Sequence, residues 1–188
     1  MRKRNGARPV LVCACLALAM SALIPALVQA QSQSAMYELH LEVPNISEAP
    51  SGDRVAVTGS GMFSVHPKSV TATGTFTHTD SAGNLVGSGT WTAIELLAFQ
   101  PYGCGVVTYP DPDVILPPNV CGGKLKLRVQ LSTAVGPLEA ILTVFCIIGP
   151  KAPASHDDPS GEGVHLNAIG VINFNKILSG MNVYIKTS

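Results

Sequence analysis

Charge is scarce in this chain. Only 13% of its 188 residues are Asp, Glu, Lys or Arg, and aromatic residues make up 5%, with a single tryptophan. Beyond the first thirty residues there is no amphipathic helical pattern and no apolar run long enough to cross a bilayer, which excludes a helical bundle and a later membrane span. Nucleophile signatures are missing as well. The Gly-Ser-Gly triplets at 59–61 and 87–89 lack the flanks of a nucleophile elbow, and no Ser/His/Asp set declares itself by spacing.

What is present begins with an export pattern. Arg2, Lys3, Arg4 and Arg8 precede an apolar stretch from Val10 to Val28, and Val28 and Ala30 occupy the small-residue positions of a cleavage site. Residues 1–30 thus read as a cleaved signal helix, and 31–188 as a single domain, secreted or periplasmic. Removing four basic residues leaves eight against twelve acidic ones, a net charge of −4. That balance disfavours nucleic acid as a partner, since phosphate binding calls for a basic face. Three cysteines remain in an oxidising setting: Cys104, Cys121 and Cys146. Cys104 and Cys121 bracket a proline-rich loop and form the preferred disulfide. Cys146, within an all-apolar run, reads as a buried thiol, although three cysteines leave other pairings open.

Period-two alternation dominates the rest. Tyr37, Leu39, Leu41 and Val43 share one face of a strand, as do Leu125, Leu127, Val129 and Leu131 of another. Pro and Gly clusters punctuate the runs. The pattern predicts an all-β fold of roughly eight or nine antiparallel strands, a barrel in preference to a sandwich. In the middle of the chain the DSAG and HPKS turns predict a three-strand meander. The hairpin over DSAG pairs Thr79 with Asn84, hence Thr75 with Ser88 and Phe76 with Gly87. The turn over HPKS pairs Val65 with Val70, hence Gly61 with Gly74. One face then carries Thr58, Ser60, Thr73, Thr75, Thr77, Ser88, Thr90 and Thr92. The other carries glycines under Phe63, Phe76 and Trp91. Bare glycine backbone lets rings lie on the sheet and permits strong coiling.

The run GSGMF, ATGTF, GSGTW, PYG, LTVFCIIG and GVHLNAIGVINFN resembles a family of exported bacterial β-proteins that has no assigned activity. The Gly-Thr-Gly-x-Phe rhythm is loosely similar to allene-oxide-cyclase and dirigent barrels. That second likeness implies a small barrel and transfers no functional residue.

Four chemistries have candidate residues. Phe63, Phe76 and Trp91 could line an apolar pocket that binds or isomerises a lipid-like ligand. The threonine face, above all Thr73, Thr75, Thr77, Thr90 and Thr92, repeats at about 6.8 Å along a strand and about 4.8 Å across strands, a spacing for ice or a carbohydrate surface. His156, Asp158, Glu162 and His165 mix imidazole with carboxylate and could hold a divalent metal, but at no standard spacing. Asp111 and Asp113 alternate as calcium ligands do, without the glycine turn of a calcium loop. Asn45 opens an Asn-Ile-Ser glycosylation sequon. Glu95, between Ile94 and Leu96, is the carboxylate least explained by alternation. The leading expectation is an exported, non-enzymatic β-module that binds a ligand or plays a structural part, needing no cofactor. The lipid-binding barrel and the hydroxyl-face binder are the alternatives.

Overall fold

The computed structural model describes residues 34–107, 114–153 and 161–188, so the expected signal helix lies outside the described residues. Among the described residues the chain is all-β. Its main strands are β1 (Met36–Glu48), β2 (Arg54–Ser64), β3 (Ser69–Thr79), β4 (Leu85–Cys104), β7 (Val120–Thr133) and β8 (Gly136–Cys146). Between β4 and β7 lies the short pair β5 (Val106–Val107) and β6 (Val114–Ile115). The C-terminal part adds β9 (Gly163–Ala168), β10 (Ile172–Phe174), β11 (Lys176–Ser179) and β12 (Asn182–Lys186).

One antiparallel sheet runs in the order β10-β9-β8-β7-β12-β1-β2-β3-β4, and β4 pairs again with β7. The hydrogen-bonded circuit β7-β12-β1-β2-β3-β4 therefore closes on itself, and β8, β9 and β10 extend from β7 to end the sheet at β10. The closing contact with β12 is short, Tyr184 opposite Cys121 and Ile185 opposite Val120, whereas β4 follows β7 from Cys104–Cys121 to Gly89–Thr133. The outer wall of β2–β4 bears hydroxyls rather than the apolar band of a membrane barrel.

The expected faces are present, but both hairpin registers differ from expectation by two residues. Thr75 lies opposite Thr90, Phe76 opposite Gly89 and Gly74 opposite Trp91. Gly59, not Gly61, lies opposite Gly74. In the β3–β4 hairpin Asp80 N donates to Asn84 O, leaving a three-residue loop, and a bulge inserts Val86 between the Thr79–Leu85 and His78–Gly87 pairs. Asp80 fixes that loop: Ala82 N and Asn84 N donate to Oδ1 at 2.9 and 2.8 Å, and Asn84 Nδ2 to Oδ2 at 2.9 Å. Because side-chain facing repeats every two residues, an even shift leaves both faces intact.

Trp91 lies on bare backbone. Its Nε1 donates to Thr58 O at 2.8 Å, and a Cβ on Gly74 would stand 2.6 Å from that nitrogen. Towards one end of the barrel Tyr37, Phe63, Phe99 and Tyr184 form an aromatic cluster with ring centroids 4.9–5.8 Å apart. These offset and edge-on contacts each contribute about 0.5–1.5 kcal/mol beyond burial.

β1 breaks register between Leu41 and Asn45, where Pro44 offers no N–H. Val43, expected inward, is 41% exposed, and Asn45 and Ser47 turn into the interior instead. There they stitch a seam in which β9 ladders only with β8 and β10. Asn182 Nδ2 stands 2.9–3.0 Å from Asn45 Oδ1, Phe145 O and Gly163 O, and Ser47 Oγ donates to Val164 O. Asn45 is fully buried, so the folded chain offers no glycosylation acceptor at that sequon.

Candidate functional site

The two ends of the barrel differ. One end carries the Cys104–Cys121 disulfide, which joins residues directly opposite each other on β4 and β7, together with the buried free thiol of Cys146. At that end Glu162 Oε1 accepts from Asn182 N at 2.9 Å. Burial pushes the Glu162 carboxyl above the usual range, against the lowering pull of the Asn182 N–H. Burial likewise pushes the Cys146 thiol well up, reinforced by the Glu162 charge. Tyr102 is raised to about 12, first by burial and then by Cys146. A thiol held protonated is a poor nucleophile, so this group serves packing.

The other end is open. The loops after β1, β3, β7 and β9 all arrive there, as shown by the pairings Arg54–Thr79, Gly89–Thr133 and Ala140–Ala168. Between them lies a cavity of about 230 Å³, walled by Val55, Phe76, Leu131, Leu138, Leu166 and Phe174 and rimmed by Val86, Val135 and Val171. A smaller apolar cavity, of about 150 Å³, already stays dry and holds benzene. Each wall residue is there for a local reason. Val55 and Phe76 are inward positions of β2 and β3, and Phe76 lies over Gly89, where a Cβ would meet its ring at 3.1 Å. Phe174 ends β10, the short strand that roofs the barrel side.

His78 is the one ionisable side chain in the lining. It continues the inward row of Ala72, Gly74 and Phe76. Its Nε2 lies 3.0 Å from Asp53 Oδ2, and its ring meets the Phe174 ring edge-on at 5.2 Å. Both partners are mostly buried, with side chains 20% and 24% exposed. The pair adds an ionisable group to a mostly apolar lining whose other polar side chains are Ser88 and Thr133, the usual composition of a small-molecule site. Sequence reasoning missed His78 and Asp53. The alternation through Phe76 was the available signal for His78, whereas Asp53 is 25 positions away and joins it only in space.

The candidate residues read from the sequence divide among several places. Of the aromatic trio only Phe76 lines the cavity; Phe63 is locked into the aromatic cluster and Trp91 into its glycine bed. Thr73, Thr75, Thr77, Thr90 and Thr92 do share one exposed wall, with Thr73 opposite Thr92 and Thr75 opposite Thr90. Two of their hydroxyls are already engaged: Thr75 Oγ1 is 2.7 Å from Thr58 Oγ1, and Thr73 Oγ1 donates to Trp91 O at 2.7 Å. His156, Asp158, Asp111 and Asp113 lie outside the described residues. Glu162 is bound to Asn182 N, and His165 meets the Phe145 ring edge-on at 4.8 Å. No group of three or more metal-ligating side chains occurs among the described residues. Glu95 is explained by a bulge between Ala93 and Glu95 that turns it outward to Arg128, 3.1 Å away; Arg128 also reaches Glu139 at 3.2 Å. No family model, curated protein or solved structure matches this chain.

Proposed function

We propose that this protein is an exported binding module that holds a small apolar ligand, a short acyl chain or a single ring, in the open end of its barrel. The observation that carries this reading is the cavity of about 230 Å³, mostly apolar on its walls, with Ser88, Thr133 and the Asp53-paired His78 as its polar side chains. Apolar walls supply affinity by removing ligand surface from water at about 25 cal/mol per Å². His78 orients the polar head. The reading is of binding: the apolar walls supply affinity and the His78–Asp53 pair supplies orientation. A hydroxyl-face binder is less well supported, because Thr58, Thr73 and Thr75 spend hydroxyls on one another or on the backbone, and a closed barrel curves its wall.

The test is calorimetric titration with decanoic acid, decanol and naphthalene. Binding of at least one, abolished by Leu138→Trp with the fold retained by circular dichroism, is the expected result. Failure of all three to bind would remove the proposal.

A further inference from the structure

Of the four loops at the open end, those after β3, β7 and β9 carry branched aliphatic side chains in water at or beside their tips. Leu85 and Val86 follow the β3–β4 loop, Val135 tips the β7–β8 turn, and Ile169 and Val171 flank the β9–β10 turn. Their exposures are 66%, 57%, 93%, 49% and 65%. Single exposed aliphatics are ordinary on a protein surface; five gathered at one end are not. Val86, Val135 and Val171 also line the cavity, so rim and pocket wall share these three apolar side chains.

Charge narrows the partner. Residues 49–53, 80–86, 133–138 and 168–174 contain no Lys or Arg, and their acids are Asp53, 3.0 Å from His78 Nε2, and Asp80. Asp80 spends its carboxylate on its own loop, which holds it below the usual range through Asn84. Arg54 and Lys176, which flank these loops in sequence, are both engaged by Glu48, at 3.1 and 2.9 Å. An anionic membrane is gripped by unpaired cations, and the rim loops named above contribute none. The exposed aliphatic area is on the order of 500 Å², short of the ~800 Å² per partner of a stable protein interface, and it is divided among separate points rather than spread as a flat face. Separate apolar points without charge suit a surface into which they can sink.

We infer that the rim docks on the interface of an electrically neutral phospholipid bilayer, with the cavity opening directly onto the acyl chains. This rests on the apolar-ligand reading and names the source of the ligand. The five side chains enter the headgroup–acyl boundary together, and the ligand passes between membrane and barrel without crossing water.

The experiment is flotation of the full chain with phosphatidylcholine vesicles, repeated with phosphatidylglycerol added. The test variant is Leu85→Asp with Ile169→Asp, two rim positions that do not line the cavity. The intact protein floats with phosphatidylcholine, the anionic lipid changes the bound fraction less than ~2-fold, and the variant lowers it by ~10-fold or more. Decanoic acid binding in vesicle-free solution is unchanged in the variant. Three results would overturn the inference: no flotation on phosphatidylcholine, flotation only on anionic vesicles, or flotation indifferent to the variant. A dimer in sedimentation that the variant dissolves, without vesicle binding, would assign the rim to a second copy instead. If decanoic acid binds while flotation fails, only the docking inference falls; if neither occurs, the pocket reading falls with it.

Discussion

Replacing Gly74 by alanine tests the bed on which Trp91 lies. The new Cβ would stand 2.6 Å from both Gly59 Cα and Trp91 Nε1, and closer still to Thr58 O, the carbonyl that accepts the indole N–H. Two of these neighbours are backbone of the paired strand, so relief requires β2 and β3 to part or the indole to leave. Overpacking a tight site costs about 1–3 kcal/mol. Orphaning the buried indole N–H costs about 1–3 kcal/mol more. The lost glycine freedom of the unfolded chain offsets about 0.4–1 kcal/mol. The net is about 1–6 kcal/mol, a large share of the about 5–15 kcal/mol that a domain has in total. Urea unfolding followed by the single tryptophan should show a midpoint lower by about 1–2 M. Gly87→Ala is the matched control. It lies on the same face of the adjacent strand, its Cβ meets nothing within 4 Å, and its midpoint should hold or rise slightly. If Gly74→Ala fell within about 0.5 kcal/mol of the parent, the ring-on-glycine account would be refuted.

Glu162→Gln should raise stability at neutral pH and flatten its pH dependence. The folded carboxyl is raised by burial, so between its ordinary range and its folded value the native state binds more protons than the unfolded one. Stability of the parent therefore falls as pH rises through that window, and urea midpoints across pH for the two proteins check the sign. Cys104→Ser with Cys121→Ser opens a covalent loop of sequence separation 17 and should cost about 3 kcal/mol, read as the drop in unfolding free energy. Arg128→Ala should leave the urea midpoint close to that of the parent, because its pairs with Glu95 and Glu139 are exposed and screened by solvent. Leu138→Trp should abolish ligand uptake with the fold intact, checked by calorimetry beside circular dichroism.

The legible part of the fold was the part written in alternation. Tyr37, Leu39 and Leu41 point inward, the threonines of β3 and β4 point out, and Cys104 meets Cys121. Register was less legible, because a two-residue shift leaves every side chain on its face; the Asp80-capped loop and the bulge at Val86 decide it, and neither alters the pattern. The inward turn of Asn45 and Ser47 was hidden, since it follows from the break at Pro44 and is stabilised by Asn182, 137 positions further on. The open end was hidden for a similar reason. Its wall is drawn from six strands, and Leu85, Val86, Val135, Ile169 and Val171 look like unrelated turn residues until barrel closure gathers them.

The central claim is that the open end of the barrel is the binding site, and amide NMR during titration with decanoic acid tests it most directly. The account predicts shifts confined to His78, Gly87, Leu138, Phe174 and their neighbours, with Thr75, Thr90 and the Trp91 indole N–H unmoved. No shifts at saturating ligand, or shifts concentrated on the threonine wall, would contradict it.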